Sequence, residues 1–142
     1  MQKQSKGQSL TEFALLLPVL IIVVMGVVEV AHIYQAYVTI TNAAREGARY
    51  GIANPTDIAG IKSHAVQEGS AEIPLSTANV SDPTCASPDG STPKACSVTL
   101  AGDRITVTVT YTYHFITTYL FGVGSMNISN TATMAITNGL PQ

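Results

Sequence analysis

Charge is scarce in these 142 residues. Only 11% of them are Asp, Glu, Lys or Arg, against roughly 25% in an average soluble domain, and the mean hydropathy is +0.26. That balance disfavours both an ordinary cytosolic globule and a disordered chain, because disorder goes with low hydrophobicity and high net charge. Basic side chains are outnumbered, seven to nine, for a net charge of -2. No cationic field is present to attract the phosphates of a nucleic acid. Catalytic motifs are missing as well. There is no GxSxG, no GxGxxG and no P-loop, and His32, His64 and His114 lie apart without HxxxH or HExxH spacing. The chain therefore reads as no enzyme, with no cofactor, no metal and no small-molecule substrate. There are two cysteines, Cys85 and Cys96. Their spacing fits no CxxC motif, and two thiolates without nearby histidines make a poor zinc site.

What is present begins at the front. From Phe13 to Val28 the sequence FALLLPVLIIVVMGVV carries no charge, and only Glu29 interrupts it before Val30 and Ala31. A helix over 13–31 would be about 28 Å long, close to the roughly 30 Å hydrocarbon core of a bilayer. Lys3 and Lys6 precede the run and the next basic residue is Arg45, so the positive-inside rule places the N-terminus in the cytoplasm and the remainder outside. A secretory signal peptide also has a basic start and an apolar stretch. Its apolar region is shorter, however, and ends in a small-residue cleavage site, whereas this run ends in Glu29-Val30-Ala31-His32-Ile33-Tyr34.

Glu12 breaks the plain anchor reading. A carboxylate bordering hydrocarbon is costly unless it sits at headgroup level or has a partner. Its surroundings run Lys6-Gly7-Gln8-Ser9-Leu10-Thr11-Glu12-Phe13, with Pro18 inside the apolar run. This resembles a type IV prepilin signal, which prepilin peptidase cuts on the cytoplasmic side, after the glycine and before the apolar helix. The resemblance implies that Gly7 ends the leader, that Gln8 becomes the new N-terminus, and that Glu12 is the acidic residue at the fifth mature position. Cleavage would leave a cationic amine at Gln8, and a carboxylate about one helical turn away can pair with the amine of an adjacent subunit. Such a pair favours one axial register between packed helices. Loss of Lys3 and Lys6 would leave five basic side chains against nine acidic ones.

A second motif narrows the family. Asn42 to Arg49 reads NAAREGAR, followed by Tyr50-Gly51, on an apparent continuation of the helix through Ile33, Tyr37 and Ile40. The octet and its distance from the glycine-to-glutamate signal resemble the TadE-like family, pilin-like proteins of the tight-adherence (Tad/Flp) branch of type IV pilus systems. Phe13 follows the glutamate where the short Flp major pilins favour Tyr, and the chain is far longer than those single-helix pilins; both points favour the TadE-like family. Read physically, Ala43, Gly47 and Gly51 recur every fourth residue, as do Ala44 and Ala48, so one helix stripe has almost no bulk and another backbone can approach it closely. Such a stripe packs the helix within its own head or against another subunit, and general packing favours the first. Arg45 and Arg49 share a face, either a solvated flank or a contact for acidic groups of a neighbour, and Glu46 is expected to face elsewhere.

Beyond Tyr50, Asn54-Pro55-Thr56-Asp57 reads as a turn leading into a second helix from about Thr56 to Gly69. A Pro/Ser/Asp-rich connection follows, CASPDGSTPKAC. Outside the cytoplasm its two cysteines favour a disulfide. From Ile105, ITVTVTYTYHF alternates with period two, as do Met126, Ile128, Ala132, Met134 and Ile136. Ser97 to Leu100, followed by Ala101-Gly102-Asp103, is expected to form a hairpin with the first of these strands. Asn79 and Asn127 fit the N-glycosylation pattern, a three-residue pattern that arises readily by chance. The expected fold is α+β: a long N-terminal transmembrane, pilin-like helix continuing into a small head, where a second helix packs on an antiparallel sheet of three or four strands. The organisation is a leader at 1–7, a long helix at 8–52 with 13–31 spanning the membrane, and an extracytoplasmic head at 53–142. No charged residue follows Arg104, and a charge-free sheet is poorly protected against edge pairing. A neighbouring subunit is expected to cover part of its Thr-rich face or an edge.

Two functional readings result. The first is a pilin-like structural or assembly subunit of a Tad-type pilus, processed by prepilin peptidase and packed through its helix with other pilin-like subunits, as a homo- or hetero-oligomer, for adhesion and surface attachment. It begins as a single-pass inner-membrane protein with a cytoplasmic N-terminus and ends extracytoplasmic or at the cell surface. The second is a membrane-tethered binding or sensory module that never enters a fibre.

Overall fold

The computed structural model describes residues 6–118, 122 and 124–137. Its longest element is α1, Lys6–Gly51, 46 residues with Pro18 inside it, about 69 Å long at 1.5 Å per residue. Then come α2 (Ile58–Gly69), β1 (Thr84–Ala86), β2 (Pro93–Lys94), β3 (Arg104–His114) and β4 (Ser125–Ala135). The four strands form one antiparallel sheet in the order β2-β1-β3-β4. The fold is thus α+β, a long apolar helix and a second helix with a four-stranded sheet.

Side-chain chemistry divides α1 into two halves. From Leu10 to Val28 the large apolar side chains face outward, including Leu15, Leu20 and Val27. From Ala36 onward one stripe is buried: Ala36, Ile40, Ala43, Ala44 and Ala48, positions that fall together on one face of a helix. This half packs on α2, β3 and β4. Ile61 and Ala65 of α2, Ile105, Val107 and Val109 of β3, and Ile128 and Ala132 of β4 complete the core. The period of two along β3 is realised: Ile105, Val107, Val109 and Tyr113 are buried, while the threonines between them are more open.

The second helix starts at Ile58 because Asp57 caps it, its carboxylate accepting a hydrogen bond from the Gly60 N–H at 2.9 Å. Tyr50, at the end of α1, donates its hydroxyl to the same carboxylate at 2.8 Å and stacks on His64, with ring centroids 4.2 Å apart. One aspartate therefore joins the two helices.

The expected hairpin through Ser97 to Leu100 does not form. Cys96–Val98 is a 3-10 turn, and the place beside β3 is taken by β1, with Cys85 opposite Ile105. Asp103, read as part of a tight turn, is instead buried and accepts the Leu100 N–H at 2.8 Å, which folds 99–103 back on itself. Gly102, at φ 94°, donates its N–H to the Ile136 carbonyl at 2.9 Å. The partner across the long hairpin of β3 is β4, from Arg104 opposite Ala135 to His114 opposite Ser125.

Candidate functional site

The exposed half of α1 is the feature that a soluble domain would not tolerate. Contiguous apolar surface of this extent marks a membrane or protein contact, and among the described residues α1 is the one helix long and apolar enough to cross a bilayer. Gly7 and Gln8 lie in its first turn, and Glu12 follows on the outward surface. Residues 1–5 of the expected leader, Lys3 among them, lie outside the described residues.

Where this half ends, the helix meets the head through Glu29. Its side chain is buried in the head, with the residue only 8% exposed. The Ile116 N–H donates to Glu29 Oε1 at 3.0 Å and to Oε2 at 3.2 Å. Tyr113, also buried, donates its hydroxyl to the same carboxylate, and burial together with the adjoining negative charge pushes that phenol up to about 12. A charge that the sequence shows only as a break in an apolar run is here a carboxylate with backbone and side-chain donors, the condition under which burial is tolerated. The packed part of the molecule therefore begins at Glu29, inside the stretch 13–31.

The NAAREGAR segment lies on the head side of this joint. Ala43, Ala44, Gly47, Ala48 and Gly51 are all buried. A Cβ on Gly47 would lie 3.1 Å from Ala65 Cβ, 3.2 Å from the Ile61 carbonyl oxygen and 3.2 Å from Val107 Cγ1. On Gly51 it would meet Ile105 Cδ1 at 2.7 Å. The small stripe thus sits where α1 touches α2 and β3. Glu46 does not face away from both arginines. Arg49 donates to it bidentately, Nε to Oε2 at 2.7 Å and Nη2 to Oε1 at 2.6 Å, because the spacing that matters is the three residues to Arg49 rather than the one to Arg45. That pair holds the Glu46 carboxyl below the usual range. Arg45 lines a groove between α1 and β4 with Tyr37, Thr41 and Asn130.

At the opposite end of the sheet, Cys85 and Cys96 form a disulfide with Cα atoms 5.3 Å apart. Cys85 lies on β1, and β1 and β2 form a small hairpin with Cys85 opposite Lys94. Its tip holds Asp89-Gly90, with Gly90 at φ 80°. That Asp-Gly pair was the available signal for these two strands, hidden in a segment that reads as an irregular connection. Lys94 donates to both Asp103 oxygens, at 2.8 and 2.9 Å. The Leu100 amide foremost, and then Lys94, hold the Asp103 carboxyl below its ordinary range.

The outer face of the sheet is a ladder of cross-strand side-chain hydrogen bonds. Thr106 pairs with Thr133 at 2.9 Å, Thr108 with Thr131 at 2.9 Å, Thr110 with Ser129 at 3.0 Å, and Thr112 donates to Asn127 at 2.8 Å. Asn79 is likewise engaged, donating to the Thr110 carbonyl. His32 contacts the Val28 carbonyl and His64 stacks on Tyr50. Among the described residues no group of three or more His, Cys, Asp or Glu side chains could hold a metal ion.

No curated protein and no solved structure matches the chain. Residues 7–49, the stretch that runs from Gly7 through the apolar half of α1 to the end of NAAREGAR, match the family model described as TadE-like protein, the family that this part of the sequence resembles.

Proposed function

We propose that this protein is a structural subunit of a Tad-type, type IV-related pilus, inserted through α1, cut between Gly7 and Gln8 by prepilin peptidase, and packed with other pilin-like subunits through the exposed half of that helix. The observation that carries this reading is the coincidence of the TadE-like match at 7–49 with a helix whose first half has large apolar side chains exposed and whose second half is built into a head. A helix of this kind inserts into a bilayer first and can later exchange lipid for neighbouring helices, since both surroundings are apolar. Glu12 is the assembly residue: its carboxylate pairs with the amine of an adjacent Gln8 and selects one axial register. The disulfide suits a head that faces an oxidising compartment, which agrees with a cytoplasmic N-terminus and an extracytoplasmic C-terminal part. Adhesion and surface attachment are the activities such a fibre serves.

Intact mass or N-terminal sequencing of protein from native membranes tests the reading. A chain beginning at Gln8 supports it. A chain still beginning at Met1 in cells with active prepilin peptidase removes the processing step and leaves the alternative, a tethered binding or sensory module outside any fibre.

A further inference from the structure

The apolar surface of α1 does not stop where the head begins. Glu29 would ordinarily mark the upper limit of a membrane span, and the apolar run before it, Phe13–Val28, is about 24 Å long, several ångströms short of a roughly 30 Å hydrocarbon core. Yet Glu29 points into the head rather than outward, and one residue later Val30 is 66% exposed. The hydrogen bonds from Ile116 to Glu29 fix the end of β3 beside this turn of the helix. Ile116 itself is 46% exposed, and Met126, opposite Tyr113 at the same end of the sheet, is 40% exposed. Tyr34, one turn above Val30, is exposed too, an amphipathic ring suited to the headgroup level.

We propose that the foot of the head, formed by Ile116 and Met126 beside Val30 and Tyr34 of α1, rests in the headgroup boundary of the bilayer, so that the unassembled protein contacts lipid through its head as well as its helix. The proposal rests on the reading of α1 as membrane-spanning. Lipid is the occupant because the patch continues the surface of that helix, and because the acid at this level, Glu29, is turned inward onto the Ile116 amide and the Tyr113 hydroxyl. A carboxylate facing lipid at this depth would be penalised; one with its donors supplied from the head allows the junction to be immersed. The foot thus carries the apolar surface past Glu29 and fixes how the head stands on the membrane.

The test uses the full chain with its disulfide intact, which leaves no native thiol to label. Single variants Ile116→Cys, Met126→Cys, Leu20→Cys and Ser91→Cys are labelled with an environment-sensitive fluorophore. Each is reconstituted into phosphatidylethanolamine–phosphatidylglycerol vesicles carrying nitroxide lipids with the spin label just below the headgroup. Leu20 reports on the span, and Ser91, on the β1–β2 tip at the far end of the sheet, reports on solvent. Labels at 116 and 126 are expected to be quenched several-fold more strongly than the label at 91. Quenching at 20 but only solvent-level quenching at 116 and 126 overturns the lipid contact and leaves the span standing. A blue-shifted but unquenched label at 116 means another protein covers the foot and overturns it equally. Absence of quenching at 20 overturns the span and the contact together.

Discussion

Glu29 and Ile116 stand 87 residues apart in the chain, yet both oxygens of the glutamate accept the isoleucine N–H, at 3.0 and 3.2 Å. This contact joins the middle of a 46-residue helix to the end of β3. It sits where the exposed half of α1 gives way to the packed half, so it fixes the direction in which the head leaves the helix. Under the proposed function, in which α1 aligns with the helices of neighbouring subunits, that direction matters as much as the stability of the head.

Replacing Glu29 by Ala leaves the Ile116 amide and the buried Tyr113 hydroxyl without their acceptor at a part-buried contact, a loss of about 1–3 kcal/mol. Unfolding of the head, followed by urea denaturation in detergent, should shift by that amount. Amide exchange at Ile116 should accelerate far more than at Val107 in mid-strand. Glu29→Gln keeps an acceptor and should recover part of the loss.

The pair Lys94–Asp103 predicts an acid limit. Asp103 has its carboxyl depressed in the folded state by the Leu100 amide and Lys94. A depressed folded value means that the aspartate stabilises the head above its ordinary pKa of about 3.9, and that this contribution is lost as pH falls through the folded value. Thermal unfolding should therefore weaken steadily below about pH 4, and Asp103→Asn should flatten that slope while lowering stability at neutral pH. An unchanged acid slope in the variant would assign it to other carboxylates, such as Asp57, whose carboxyl is also depressed, first by the Gly60 amide.

Much of this architecture is legible in the sequence because it is written in periodicity. The apolar run, the small stripe from Ala43 to Gly51, and the alternation from Ile105 to Phe115 each repeat with the period of the element they build. Three features escape for definite reasons. Glu29 pairs with a backbone amide, and no side-chain pattern marks residue 116 as its donor. β1 and β2 are three and two residues long, too short for any period, and only Asp89-Gly90 betrays the turn between them. Ser97 to Leu100 fails as a strand because β1 already lies against β3 and Asp103 turns inward to the Leu100 amide and Lys94, contacts that depend on the whole head being assembled.

Gly47 separates packing within the head from packing between subunits. The neighbours of an added Cβ are a backbone carbonyl and two short side chains, none of which can swing away. Gly47→Val should destabilise the head by about 1–3 kcal/mol through overpacking, with Gly47→Ala intermediate. Urea unfolding of the two variants checks the order. Normal stability with lost fibre incorporation would instead place the stripe at a subunit contact.

The disulfide should be complete in native protein. Alkylation without reductant should label neither Cys85 nor Cys96, since the two sulfurs are joined within one chain. Closing a loop with sequence separation 11 restricts the unfolded chain, and its removal should cost about 3 kcal/mol in the loop-entropy account. Reduction followed by alkylation, and the double variant Cys85→Ser with Cys96→Ser, should lower the urea midpoint alike. Full labelling under oxidising conditions would count against both the bond and an extracytoplasmic head.

Glu12 distinguishes assembly from folding. It lies on α1 well before the packed half begins, so Glu12→Ala should leave the head as stable as before. Removing a carboxylate from the edge of an apolar run also makes insertion no harder, and slightly easier. Assembly is different. If each processed subunit offers an amine at Gln8 and a carboxylate at Glu12, helices that slide together in one register match the amine of one with the carboxylate of the next. In the variant the amine enters a low-dielectric bundle without that partner, a loss that reaches about 3–5 kcal/mol for a fully buried pair. The expected outcome is an unchanged amount of protein in the membrane and a marked fall in the sheared-fibre fraction. The check is the ratio of fibre to membrane signal for wild type and Glu12→Ala in the same host, with Glu12→Asp as the conservative variant that keeps the charge and should recover part of the assembly. Equal ratios in wild type and Glu12→Ala would return Glu12 to the role of a headgroup-level residue and remove the register from the account.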